Sequence, residues 1–269
     1  MWATYLSSLR ESMNRRVALV LFGVAILVAF AFNWIVHVRT PVGAAAMIAI
    51  GTQAPSPAAI AVPEVLESEL HAAGSLWLLL TVFAAAPLLN GTLEKGWLEL
   101  LFSKGAARWR IFTGRFLAGL TLYSLTFALA TFPVAARLWW RTGVATWQIS
   151  LALLIETFSF TALLSVAALA ALPQKGITLP IIAPVAVWIL SPLLAKRQES
   201  FYQLFSSRFA REIVDWAYRV LPKCSELEDI GVSFLHSEKI HSWWPVWSSG
   251  VFALAVFSLT LGVLRRKSF

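Results

Sequence analysis

Six long stretches of the chain carry almost no charged side chain, and they constrain the fold more than any other feature. About 20 apolar residues cross a hydrocarbon layer of about 30 Å as an α-helix, because unpaired backbone groups cannot be left in lipid. Of all residues, 58% are hydrophobic and 13% are charged. We therefore predict an all-α membrane protein with a single transmembrane domain over residues 1–269. The predicted spans are about 17–38, 74–90, 111–136, 148–172, 177–195 and 244–264.

The basic residues predict the orientation of these spans. Three arginines precede the first span and only Arg39 follows it closely, so its amino end is expected on the cytoplasmic side. Six spans then place both termini in the cytoplasm of a multi-pass plasma membrane protein, most simply one of a bacterial inner membrane. Residues 91–110 become a cytoplasmic segment, and 39–73 and 196–243 become outer loops. The net charge of +8 is interpreted as the asymmetry that sets this topology, not as a sign of nucleic-acid binding.

Tryptophan is frequent, with 13 residues in the chain. The indole ring is amphipathic and settles at headgroup depth. Many of these residues stand where apolar runs meet polar ones, and the predicted topology puts them at the outer interface, whereas Trp188 does not fit this pattern. The predicted belt consists of Trp34, Trp77, Trp139, Trp140, Trp147, Trp243, Trp244 and Trp247.

Two segments outside the spans have the apolar periodicity of amphipathic helices. Residues 1–16 predict a short helix lying in the membrane interface. Arg15-Arg16 before an apolar run also imitates a secretory signal, but the run is longer than the hydrophobic region of a signal peptide. The outer loop 196–243 predicts an amphipathic helix that ends near Leu221-Pro222, on the outer leaflet, over a cavity or at the bilayer edge. Its apolar stripe is Phe201, Phe205, Phe209, Ile213, Trp216 and Val220.

Glu156 is the only acidic residue that we expect at membrane depth. A carboxyl there is costly in lipid, so it should face a protein interior or a wet cavity. It is either a protonated side chain bonded to a neighbouring helix or a functional polar site. Coupling to protons would require a second titratable group at this depth, and we expect none.

Pro180, Pro184 and Pro192 predict that the fifth span is kinked or broken, either to line a pathway or to accommodate packing.

The sequence lacks the standard signatures of phosphate-binding loops, zinc peptidases and serine hydrolases. His236 and His241 are five residues apart and do not share a helical face, so no metal site is expected. A single cysteine, Cys224, excludes an intrachain disulfide and a thiolate metal cluster. We therefore expect no enzymatic activity and no cofactor bound by this chain itself.

The cytoplasmic segment between the second and third spans is the candidate functional site. Basic side chains are expected at any cytoplasmic turn, but Trp97 and Trp109 beside them are not explained by that rule. Apolar anchors surrounded by charged side chains are typical of a surface that docks another protein. Here the apolar anchors are Trp97, Phe102 and Trp109, and the charged contacts are Lys104, Arg108 and Arg110.

From Gly96 onward, GWLELLFSKGAARWRIFTGRFLAG resembles the signature of ABC-2-type transporter permeases. That signature is a Gly-Thr-Leu-Glu-Leu-Leu-Leu-Ser-Lys-Pro-x-Ser-Arg run followed by a Gly-Lys or Gly-Arg pair. Trp97, Gly105 and Ala107 stand in place of its threonine, proline and serine. The stretch 218–222, similar to a Tyr-x-x-Leu-Pro motif, and the basic tail extend the resemblance over the chain. The matching positions are Gly96, Leu98, Glu99, Leu100, Leu101, Ser103, Lys104, Arg108, Gly114 and Arg115.

The resemblance implies an amino-terminal elbow helix, a cytoplasmic coupling helix between spans two and three, and outer helices between spans five and six. The coupling helix would dock on a separate ATPase subunit, which would bind ATP and Mg. The expected partners are such ATPase subunits, a second permease copy or paralogue, and membrane lipid, without nucleic acid. Alternative functions are a membrane scaffold or maturation factor and an intramembrane enzyme. The residues expected to contact the ATPase are Gly96, Trp97, Glu99, Phe102, Ser103, Lys104, Arg108, Trp109 and Arg110.

Overall fold

A computed structural model describes residues 2–14, 16–39, 47–50, 56–90, 108–173, 176–199, 201–204 and 208–266. The described chain is mostly helical, and six of its helices are long and apolar enough to cross a membrane. This confirms the helical class and the number of candidate spans. The six are α2 (Arg16–Ile35), α3 (Ala58–Asn90), α4 (Arg108–Thr142), α5 (Gln148–Ala170), α6 (Thr178–Ala195) and α10 (Trp244–Arg266).

Shorter elements flank these helices. Helix α1 (Trp2–Asn14) precedes α2. Between α6 and α10 lie α7 (Phe201–Leu204), α8 (Arg208–Val220) and α9 (Cys224–Leu235). Helix α8 matches the second part of the amphipathic helix predicted in the last long loop. Phe201 of the predicted stripe belongs to α7, and Phe205 lies outside the described residues. A further helix, α9, follows α8.

A small antiparallel sheet, which we did not predict, follows α2. Its strands are β1 (Val36–Arg39), β2 (Met47–Ile50) and β3 (Ser56–Pro57), paired in the order β1-β2-β3. In the pairing of β1 with β2, Val36 stands opposite Ile50 and Arg39 stands opposite Met47. The first membrane helix consequently ends at Ile35 and not at residue 38.

Helix α3 begins at Ala58, well before the predicted start near residue 74. Residues 58–73 of the predicted outer loop 39–73 therefore belong to α3. The reason is burial, because Val62 and Val65 are each 1% exposed and continue the apolar face of the spanning part. The acidic residues of this stretch limit the charge-free run in the sequence, but the helix continues through them.

Helix α6 is continuous from Thr178 to Ala195, so the predicted break at its prolines is absent. Pro180 lies in the first turn, where its missing N–H has no intrahelical partner to lose. Pro184 and Pro192 lie inside the helix. Helix α4 extends beyond its predicted end to Thr142.

Helix α4 is central to the bundle, where it packs against α1, α2, α3 and α5. Tyr123 of α4 stacks on Phe160 of α5, with ring centroids 4.1 Å apart and planes 6° apart. A Cβ placed at Gly119 would meet the Ala85 Cβ at 3.4 Å, so α3 and α4 approach closely here. Small residues allow such close approach between membrane helices.

One predicted member of the tryptophan belt, Trp77, is instead fully buried. Because α3 begins at Ala58, Trp77 stands in the interior of the helix and not near its end. Trp188 is partly buried against the core. The other predicted belt residues are exposed, namely Trp34, Trp139, Trp140, Trp147, Trp243, Trp244 and Trp247.

Candidate functional site

Most of the predicted coupling segment lies outside the described residues. This applies to Gly96, Trp97, Glu99, Phe102, Ser103 and Lys104. Helix α4 begins at Arg108, so Arg108, Trp109 and Arg110 form its first turn. The described structure therefore gives the flanks of the segment, the end of α3 and the start of α4.

Arg115 joins the two helices that flank the segment. Its Nη1 donates a hydrogen bond of 2.9 Å to the Leu88 carbonyl oxygen, and its side chain is 3% exposed. The Leu88 carbonyl lies in the last turn of α3, where backbone acceptors lack an intrahelical donor. The Gly114-Arg115 pair of the signature is thus buried at the junction of α3 and α4.

Trp109 is half-buried, so part of its surface is accessible at the start of α4. The guanidinium carbons of Arg110 and Arg265 lie 5.4 and 5.9 Å from its ring centroid, within the range of cation–π contacts. Arg265 belongs to the last turn of α10. The carboxyl end of α10 therefore lies beside the amino end of α4, and Arg110 remains exposed there.

Helix α1 packs along α4. The hydroxyl groups of Tyr5 and Thr121 are 3.0 Å apart and share a hydrogen bond. Ser8 is buried, whereas Leu6 and Met13 of the predicted apolar stripe are exposed. The helix thus turns part of its apolar stripe away from the bundle, as a helix lying in a membrane interface does.

Helix α9 is inserted among the long helices and packs against α3, α5, α6 and α10. Its amino end is tied to two of them, because the Lys223 and Ser225 backbone N–H groups donate to the hydroxyls of Ser249 and Ser191, both at 3.0 Å. These bonds satisfy donors that a helix start leaves unpaired. Cys224 is buried, and burial raises the pKa of its thiol to about 12, so it is not a reactive thiolate.

Tyr218, the tyrosine of the Tyr-x-x-Leu-Pro stretch, lies where α6, α8 and α9 meet. The Arg197 guanidinium carbon lies 3.8 Å and the Lys223 Nζ 4.6 Å from the centroid of its ring. The Tyr218 hydroxyl donates to the Glu226 carboxylate at 2.6 Å. Burial, followed by this hydrogen bond, raises the pKa of Tyr218 to about 12.

Asp215 fixes α8 to the end of α6. The Arg197 Nε and the Tyr202 hydroxyl donate to its carboxylate at 2.9 and 2.8 Å. The Tyr202 hydrogen bond and then the Arg197 contact lower the pKa of Asp215. The apolar face of α8 is turned away from the described protein, as its exposed residues Phe209, Ile213, Trp216 and Val220 indicate.

Glu156 is buried in α5, at 7% exposure. Its Oε1 has no hydrogen-bond partner among the described residues, nor has the hydroxyl of fully buried Tyr123. Glu228 of α9 lies close enough to interact electrostatically with Glu156. The interpretation of a protonated carboxyl bonded to a neighbouring helix stays a prediction, since it does not specify which carboxyl oxygen makes the bond.

Glu69 is a buried acidic side chain within the candidate span over Ala58–Leu89. It is fully buried, and within the described parts of the chain neither of its carboxyl oxygens has a hydrogen-bond partner. Because α3 begins sixteen residues before the predicted start of the second span, Glu69 lies within a long helix and not in the loop where we placed it. From the sequence, only a correct start for α3 would have indicated that Glu69 lies within a helix.

Two His–Glu pairs join α9 to α3. The Nε2 of His236 lies 2.7 Å from the Glu67 Oε2, and the Nε2 of His71 lies 3.7 Å from the Glu228 Oε1. Burial raises the pKa of Glu228, while the nearby His71 lowers it. Across the described ranges, no group of three or more His, Cys, Asp or Glu side chains could hold a metal ion.

Comparison with known proteins adds no family to these observations. No protein-family model matches the chain, and no curated protein matches it. Any function proposed for the chain therefore depends on its own residues and their placement.

Proposed function

We propose that this chain is the transmembrane permease subunit of an ATP-driven ABC-2-type exporter. The observation that carries the proposal is the sequence over 96–115, which resembles the coupling signature of that family and connects two helices of spanning length. The burial of Gly114 and Arg115 supports it, because this pair of the signature ties α3 to α4 at the base of the segment. A segment so anchored can pass displacement to both helices.

Three further elements agree with this architecture. Six helices have the length and composition of spans. Helix α1 packs on α4 and is the counterpart of an elbow helix. Helices α8 and α9 lie between the fifth and sixth candidate spans, where outer helices are expected. Arg265 of α10 contacts Trp109 beside the coupling segment, which supports a topology with the end of α10 on the same side of the membrane as that segment. In the proposed orientation, both termini lie in the cytoplasm of a bacterial inner membrane.

In the proposed mechanism, residues 91–110 dock on an ATPase subunit that binds ATP and Mg. Trp97 and Phe102 supply apolar contacts, and Lys104, Arg108 and Arg110 supply charged ones. Closure of the ATPases on ATP pushes the segment, and the Arg115–Leu88 hydrogen bond makes α3 and α4 move together. A pathway formed with a second permease copy or paralogue then switches between the two sides of the membrane.

Reversing two charges of the first turn of α4 tests this proposal. The variant Arg108→Glu with Arg110→Glu is purified from native membranes by a tag, and the Mg-ATP hydrolysis that co-purifies with it is measured. We expect a loss of at least about tenfold, because like charges placed opposite each other cost several kcal/mol. Trp109 is left intact, so that its contact with Arg265 is retained.

A matched control reverses two exposed basic residues at the opposite end of the bundle, in Arg141→Glu with Lys239→Glu. Its co-purified hydrolysis should equal that of the unaltered chain. If the Arg108 and Arg110 variant also retains full hydrolysis, the coupling assignment is wrong. Hydrolysis absent from all three preparations would favour a membrane scaffold or maturation factor.

A further inference from the structure

A cavity of about 450 Å³ opens where the carboxyl end of α4 meets the amino end of α5. Its volume falls within the range of about 300–1,000 Å³ that is typical of ligand sites. Ala135 and Ile149 form its floor and are each 2% exposed. Trp139 and Trp147 form its walls. The lining is predominantly apolar, so the cavity suits a hydrocarbon group.

Hydrogen bonds fix the turn that closes this cavity. The Gly143 N–H donates to the Trp139 carbonyl at 2.8 Å, and the Thr146 hydroxyl donates to the Ala135 carbonyl at 3.2 Å. Gly143 has a φ of 70°, the left-handed conformation that ends a helix and that glycine adopts without strain. The backbone of the turn between the two tryptophans is therefore held in place by hydrogen bonds.

An exposed apolar stripe leads away from the cavity along both helices. On α4, Phe132 at the rim of the cavity is followed at helical spacing by Leu129 and Leu125, which are 43%, 36% and 48% exposed. On α5, Leu154 is 64% exposed, one turn beyond the cavity. Because both helices are candidate spans, this stripe is accessible to lipid chains in the single chain.

The tryptophans set the depth of the cavity. Trp139, Trp140 and Trp147 are 57%, 85% and 62% exposed at this end of the bundle. Exposed indoles of membrane proteins settle at the level of the lipid headgroups. A lipid with its headgroup at that level would place the first part of an acyl chain between Trp139 and Trp147 and the remainder along the stripe.

We propose that this cavity binds one acyl chain of a membrane phospholipid from the adjacent leaflet. Recognition is through the chain, since the lining is apolar, and the headgroup lies outside among the exposed indoles. The site is thus a fixed lipid position on the outside of the bundle, away from the coupling segment. It does not depend on the chain being a permease.

Filling the cavity tests the proposal. The full-length protein in detergent is mixed with dioleoyl phosphatidylglycerol or dioleoyl phosphatidylcholine, and retained lipid is counted by native mass spectrometry. We expect one retained lipid with either headgroup. Ala136→Trp, at an exposed lining position, should reduce retention at least about fivefold, because the indole occupies the space of the chain. Ala255→Trp, at an exposed position on α10, should not change it.

A second variant, Ala145→Phe, fills the cavity from the turn between α4 and α5. It tests the proposal if Ala136→Trp does not fold. Retention equal to that of the unaltered protein in a folded cavity-filled variant would overturn the proposal. Retention of lipid that depends only on the headgroup would also overturn the proposal. Loss of a dimer on filling the cavity, with lipid retention unchanged, would assign this surface to a second copy of the chain instead.

Discussion

Trp77 and Thr126 join α3 to α4 by a hydrogen bond between two fully buried side chains. The Trp77 Nε1 donates to the Thr126 Oγ1 at 2.9 Å, while the Thr126 hydroxyl donates to the Leu122 carbonyl at 2.7 Å. The hydroxyl thus acts as donor and acceptor at once. Together with Arg115 and Leu88, this pair holds the two helices that flank the coupling segment at two separate levels.

We expect Trp77→Phe and Thr126→Val to show an interaction free energy in a double-mutant cycle. Hydrogen bonds between membrane helices average about 0.6 kcal/mol and reach about 1.7 kcal/mol, because the unfolded chain in the membrane also finds partners. The measurement is reversible unfolding in mixed micelles of the four proteins. A cycle of Trp188→Phe with Thr126→Val serves as control and should be additive. An interaction free energy near zero for Trp77 and Thr126 would contradict the structure.

The burial of individual side chains could not be predicted from residue type alone. Trp77 was assigned to an interface because it follows a polar stretch, and Glu69 to a loop because it ended a charge-free run. Both are fully buried, since the face of α3 they occupy is covered by other helices. Whether a helix face is covered depends on which helices pack against it, and the local sequence does not contain that information.

At the scale of elements, two His–Glu pairs join α9 to α3, and one of them includes Glu228. Glu228 faces His71 on α3, Asp229 on its own helix and Glu156 on α5. Burial and then Asp229 raise the pKa of Glu228, against the lowering by His71. The pKa of Glu228 in the folded state therefore exceeds its ordinary value. The stability that depends on a neutral Glu228 carboxyl is fully present below the ordinary value, and it is lost as pH rises through the folded pKa.

Glu228→Gln should therefore gain thermal stability relative to the unaltered protein as pH rises. The glutamine keeps the shape of the side chain but cannot ionise, so the penalty of a buried charge disappears. The measurement is the unfolding temperature of both proteins at a series of values from about pH 5 to about pH 8. Glu238→Gln, at an exposed position, is the control. A difference between Glu228→Gln and the unaltered protein that stays constant across this range would contradict the assignment.

Elements with their own periodicity were predictable, and those made by long-range pairing were not. Helix α8 was predicted because its apolar stripe repeats along one segment. The strands β1 and β2 are four residues each, too short for a recognisable alternation, and form only by pairing with each other. The cavity between α4 and α5 was also missed, because its lining comes from two helices and the turn between them.

For the whole molecule, the candidate spans follow from the charge-free runs, because a membrane requires about 20 apolar residues whatever the neighbours are. The candidate site was located by its aromatic and basic residues between two such runs. What the sequence did not provide is the way this segment is anchored. Arg115 proved to be buried against the end of α3, and Trp109 proved to be covered in part by Arg265.

Photo-cross-linking in native membranes tests whether residues 91–110 contact an ATP-binding subunit, as the proposed function requires. Benzoylphenylalanine is placed at Phe102, within the segment, and as a control at Trp140, which is 85% exposed at the opposite end of α4. The account predicts that irradiation joins the chain through position 102, and not through position 140, to a second polypeptide that binds an ATP analogue. Absence of such a product from position 102, or an equal yield from position 140, would contradict it.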